Sequence, residues 1–173
     1  MKKTDATQSA VLSRLEKMFA DNRIAARMED DDTRLTLLMT ELVPDMEIYA
    51  DLFFPPVAKE IGDFKLFALE FELMDTSELA PEPGLDLLCA CAMMNAAIPL
   101  GGFGVRKNDD NDTLEELVFR YTLPLEAALT QDQVYAACEN AFFALAAVLE
   151  NAAPDLIALA KGEITQEEFL EKL

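Results

Sequence analysis

Hydrophobic and polar positions along the chain change period several times, and each change marks an element. From Thr7 to Asn22, Val11, Leu12, Leu15, Met18 and Phe19 fall at the spacing of one helical face while Arg14, Glu16 and Lys17 fall elsewhere, which predicts an amphipathic helix. The period then shortens to two. Ile24, Ala26 and Met28 alternate with Arg23, Ala25 and Arg27, and after the acidic turn Glu29 to Asp32, Leu35, Leu37 and Met39 alternate with Arg34, Thr36 and Thr40, the pattern of a β-hairpin. A third run sets Met46, Ile48, Ala50 and Leu52 against Glu47, Tyr49, Asp51 and Phe53, and ends at Pro55 and Pro56, neither of which can donate to a ladder. A fourth puts Phe67, Leu69, Phe71 and Leu73 on one side of a strand and Glu70 and Glu72 on the other.

The stretch "DTSELAPEPG", Asp75 to Gly84, interrupts the pattern with two prolines and a glycine and is expected to link elements within the domain. Leu85 to Ala97 is then apolar almost all round, Asp86 and Asn95 being its strongly polar positions. A helix of that kind needs cover on two sides. The sheet supplies one, and a second copy of the chain is the simplest supplier of the other, which places Leu85, Leu88, Cys89, Ala92 and Met93 at a homodimer interface. Phe103 and Val105, a polar turn "KNDDND", and the alternation of Leu117, Phe119, Tyr121 and Leu123 with Glu116, Val118, Arg120 and Thr122 predict a second hairpin. Thr130 and Gln133 have capping-box spacing and open a helix that should stop near Pro154; a short helix should follow, with Lys161 in its last turn and Gly162 as its cap. Thr165 and Glu168 repeat the capping box before a last helical turn or two. The expected fold is α+β: a mainly antiparallel twisted sheet of five to six strands with helices packed on it, forming a single domain over residues 1–173.

Charge narrows the partners. Fourteen basic against 33 acidic residues leave a formal charge of −19, a field that repels nucleic acid and anionic membranes. The N-terminal stretch lacks the apolar core of an export signal, and the most apolar run, Leu87 to Leu100, is too short to span a bilayer. Cys89, Cys91 and Cys138 are odd in number and embedded in apolar surroundings, which suits reduced core thiols in a cytoplasmic protein.

The glycines of "AIPLGGFGV", Ala97 to Val105, invite a phosphate reading, which their context opposes. Phosphate loops run from a strand into a helix N-terminus, whereas Gly101, Gly102 and Gly104 run from a helix into a strand. They are expected to permit a tight turn and close backbone approach. "NDDNDTLEE", Asn108 to Glu116, fails as a calcium loop because, counted from Asp109, Leu114 and Arg120 stand where glycine and glutamate are required. With no histidine in the chain, the Ser-His and Cys-His nucleophile pairs are absent, and no catalytic, cofactor-binding or metal-binding residue is expected. What remains is apolar surface: Leu38, Tyr49, Phe53, Leu66 and Val118 interrupt the polar positions of the strand faces opposite the main core, and together would bind a segment of another protein. The alternatives are a small-ligand-binding or enzymatic domain with a pocket between sheet and helices, and a structural homodimer with no other partner.

From Met94 to Glu163 the chain resembles the second half of the YbjN-like family. The residues that carry the resemblance are an asparagine near a helix end, "PLGGF", "FRYTLPL", a helix after threonine, and the closing P-x-L-x-x-x-x-x-G of Pro154 to Gly162. Over the N-terminal half the resemblance is one of element order. It implies a fold similar to the type III secretion chaperones and a tendency to dimerise, and the family has no general catalytic motif; the partner expected for the apolar surface is a segment of a secreted or regulatory protein. The four-strand N-terminal half departs in detail from those chaperones.

Overall fold

A computed structural model describes residues 6–29, 32–44, 46–56, 64–75, 84–107 and 114–173. The elements are α1 (Ala6–Asp21), β1 (Ala25–Met28), β2 (Arg34–Met39), β3 (Ile48–Phe53), β4 (Phe64–Asp75), α2 (Gly84–Ala97), β5 (Gly102–Lys107), β6 (Leu114–Glu126), α3 (Gln131–Ala160) and α4 (Gln166–Leu170). The six strands form one open antiparallel sheet in the order β1-β2-β3-β4-β6-β5, so the fold is α+β as the alternation predicts. The linker at 76–83 and the turn at 108–113 lie outside the described residues.

The chain packs as two compact units, one of residues 1–39, 49–70 and 122–144, the other of residues 40–48, 71–121 and 145–173. In the first, the predicted face of α1 is fully buried at Val11, Leu12, Leu15 and Phe19, and the helix lies over β1 and β2. The Phe19 ring meets Phe142 of α3 edge-on at 4.6 Å, a contact that adds about 0.5–1.5 kcal/mol to the burial of the two rings. Leu35, Leu37, Ala50, Leu52, Phe67 and Leu69 supply the sheet side of this core, every one at the phase the period of two assigns to it. α1 ends without a glycine: Arg23 takes the left-handed conformation at φ 63°, with Ile24 N–H donating to Phe19 C=O and Arg23 N–H to Ala20 C=O.

In the second unit, Phe119 of β6 is the hub. Its ring lies 4.7 Å from Phe103 of β5 and 6.1 Å from Phe71 of β4, and all three are buried. α2 packs on β5, and its buried side includes Leu87, Ala90, Cys91 and Met94. Phe169 of α4 is fully buried, beside α2.

α3 departs from expectation. Rather than stopping near Pro154 it continues unbroken to Ala160, with Pro154 inside it. Proline removes one hydrogen bond, to the carbonyl four residues earlier, and an interior position costs about 3 kcal/mol. That carbonyl belongs to Glu150, which is exposed and so has water as a partner, while Leu156, Ile157, Leu159 and Ala160 beyond the proline are all buried. Burial at about 1.5–3 kcal/mol per large apolar side chain outweighs the break. α3 is long and apolar enough to cross a membrane, but Val134, Cys138, Phe142, Leu145, Leu149, Ala153 and Leu156 recur every three or four residues as a buried stripe, the mark of a core helix. The C-terminal cap falls where expected: Gly162 has φ 73°, and Glu163 N–H reaches Ala158 C=O.

Candidate binding surfaces

Three surface features follow from this framework. The first is the sheet face of the first unit opposite its core. Because successive side chains of a strand point to opposite faces, burial of Leu35, Leu37 and Met39 on β2 and of Ala50 and Leu52 on β3 turns Leu38, Tyr49 and Phe53 outward, and burial of Phe67 and Leu69 does the same for Leu66 on β4. Tyr49 is 46% exposed; Leu38, Phe53 and Leu66 are half-buried. Three polar members of this face are matched to one another: Arg34 pairs with Asp51 at 2.8 Å, Thr36 Oγ1 donates to the other Asp51 oxygen at 2.8 Å, and the Arg34 guanidinium stands over the Phe53 ring at 4.9 Å. The patch is therefore largely apolar around one matched ion pair, with Arg27, in register with Thr36, and Glu70 of β4 on the same face.

Val118 does not join it. Expected on the exposed face, it is 2% exposed and belongs to the second unit. Its alternation phase is as expected, but β6 lies between β4 and β5, and long ion-paired side chains share its face: Arg106 reaches Glu72 at 3.3 Å and Glu116 at 2.6 Å, the latter an ionic approach rather than an aligned hydrogen bond. Methylene stems of such side chains exclude water from a small residue between them.

The second feature is α2. Its outward side carries Leu88 and Met93, 45% and 43% exposed, with Cys89, Ala92 and Ala96 also exposed. Leu85 lies in the first turn, its side chain outside the described residues. The helix is thus covered by its own chain on one side and open on the other. The three thiols divide accordingly: Cys91 and Cys138 are buried, which pushes them up to about 11 and about 12, whereas Cys89, expected among core thiols, is exposed.

Beyond α2 comes the glycine turn, and its chemistry is structural. Gly101 has φ 75°, and a Cβ there would overlap the Phe119 ring. Asn95 donates through Nδ2 to Phe103 C=O at 2.9 Å and accepts from Phe103 N–H at 2.6 Å, occupying the hydrogen-bonding groups that edge strand β5 turns away from β6. The corresponding role on β1 falls to Glu16, which accepts from Met28 N–H at 3.1 Å. Among the described residues no three Cys, Asp or Glu side chains gather as metal ligands.

The third feature, which residue spacing does not reveal, is a cavity of about 390 Å³ among the helices of the second unit. Met94, Ile98, Val148 and Ala152 line it, Phe169 closes one side, and the ion pair of Lys172 with Asp155 stands at its rim. The pocket expected under the alternative reading, between sheet and helices, is not this one: this cavity is lined by helical and C-terminal residues, and its one acidic side chain, Asp155, is already paired.

Known proteins can now be set beside this geometry. No family model matches the chain, and no curated protein matches it. Solved structures similar to it include YbjN from E. coli, at 17% identity and a TM-score of 0.46 over 82% of this chain and 90% of that one. The ExsC-ExsE complex matches at 16% identity and a TM-score of 0.46, over 85% of this chain and 95% of that one. An uncharacterized protein from Methanothermobacter thermautotrophicus matches at 14% and 0.38, over 80% and 94%.

Proposed function

We propose that this chain is a non-enzymatic protein-binding module, chaperone-like or regulatory, that works in the cytoplasm as a homodimer and holds a segment of a partner protein on the open sheet face of its first unit. The observation that carries the reading is the placement of Leu38, Tyr49, Phe53 and Leu66, partly or well exposed, on the sheet face opposite the core of the first unit, around the matched pair of Arg34 and Asp51. Aromatic side chains of this kind supply large contact area at low entropic cost, and the surrounding negative field favours a partner segment with basic flanks. Capture of partners from the native host should lose its principal species when Tyr49→Asp and Phe53→Ser are combined, with the circular dichroism spectrum unchanged. A folded double variant that captures the same species as the parent removes this surface from consideration.

Self-association is assigned to α2. Two copies that each carry −19 repel, so they meet most readily where charge is missing, and the run from Leu87 to Val105 contains no charged residue. The small side chains of Cys89, Ala92 and Ala96 allow helix axes to approach to about 8–10 Å. Light scattering is expected to give a dimer for the parent and a monomer for Met93→Glu. Cys89 should react with a thiol reagent several-fold faster in that variant, while Cys91 and Cys138 stay protected in both. A parent that is monomeric at tens of micromolar refutes the interface.

A further inference from the structure

The helices of the second unit hold an occupant of their own. Phe169 is fully buried and lines the cavity between α2 and α3, and three residues later Lys172 pairs with Asp155 of α3. Positions three apart share one face of a helix. Lys172 lies in the turn that follows α4, its N–H donating to Phe169 C=O, so this segment presents an aromatic anchor and a cation close together, and the groove answers with an apolar floor and a carboxylate.

α4 is a poor fit for that groove in two respects. It leaves about 390 Å³ unfilled beside Phe169, over Met94, Ile98 and Val148. It also brings Glu167, Glu168 and Glu171 to a chain whose net charge is already −19. Only Glu168 has an internal use: its carboxylate accepts from Thr165 N–H at 2.7 Å and from the Thr165 hydroxyl, which holds its carboxyl below the ordinary range. A five-residue helix is too short to persist by itself, so α4 is helical because it is docked.

We propose that α4 is a tethered occupant of a helical-peptide groove between the ends of α2 and α3. In its place the groove takes a basic helical segment of a partner, with an aromatic or large aliphatic residue followed three positions later by lysine or arginine. Such a segment keeps the Phe169 and Lys172 contacts, fills the remaining volume with a longer apolar face, and exchanges repulsion for attraction. The groove shares no residue with the sheet face of the proposed function, so either can fail without the other.

The test uses the full chain and a fluorescent peptide of residues 164–173, "ITQEEFLEKL", carrying Glu167→Lys and Glu171→Lys. Phe169→Ser in the protein withdraws the resident anchor. By fluorescence anisotropy the peptide is expected to bind this variant at least tenfold more tightly than the parent. Adding Val148→Glu to the groove should abolish that binding, and Tyr49→Asp should leave it unchanged. Equal affinity for parent and variant, or none for a variant shown to be folded, overturns the proposal. Should Phe169→Ser fail to fold, Lys172→Glu loosens α4 by its exposed ion pair alone; amide exchange across 167–171 is then expected to quicken at least threefold and peptide affinity to rise, and a parent-like result in both overturns the proposal equally.

Discussion

Gly101→Ala is expected to lower the unfolding free energy by about 2–5 kcal/mol, combining about 1–2 kcal/mol for an L-residue in the left-handed region with about 1–3 kcal/mol for overpacking a filled core. Both terms have a definite source. The residue has φ 75°, and the methyl group would enter the ring of Phe119, which cannot retreat because Phe103 and Phe71 stand against it. Gly104, three positions on, is the internal control: nothing lies within 4 Å of the site of its Cβ and its backbone is extended. Gly104→Ala should be neutral or gain about 0.5–1 kcal/mol, as a strand glycine replaced by alanine does. Urea titration of the two variants separates a structural turn from a generally tolerant loop, and equal losses at both sites would contradict the geometry.

The opposite sign is expected at Pro154. Alanine exceeds proline by about 3 kcal/mol in a helix interior. Part of that gain is offset, because proline also restricts the unfolded chain and its half-buried ring gives up contacts. A net stabilisation of about 1–2 kcal/mol should remain for Pro154→Ala, visible as a raised melting temperature and as slower amide exchange over 150–158. A lowered melting temperature would mean that packing of the ring outweighs the missing hydrogen bond.

Periodicity carries most of the fold in this chain, because a strand or helix with one buried face must repeat its apolar positions at the period of that face. α1, the four strands before the linker, and the capping boxes at Thr130 and Thr165 are where the pattern puts them; Gln133 Oε1 accepts from Thr130 N–H at 2.9 Å and Gln133 N–H returns to Thr130 Oγ1 at 3.3 Å. Local rules failed where a longer-range term was larger. Proline punctuates a helix by its own chemistry, but the buried residues from Leu156 to Ala160 lie downstream of it and hold the helix together. Alternation assigns Val118 a face; it does not say how far that face is covered, and Val118 is buried on it. Arg23 ends α1 in a conformation that composition reserves for glycine. The groove of α2, α3 and α4 joins residues from Met94 to Lys172, and no spacing rule connects positions so far apart.

Asn95 has a bearing on how partners can be recognised. By giving its carboxamide to both backbone groups of Phe103, it acts as a one-residue seventh strand and leaves the β5 rim with no vacancy at that point. Strand addition, in which a guest polypeptide extends the ladder, is thereby blocked at Phe103, the residue whose outward backbone groups the Asn95 carboxamide already holds.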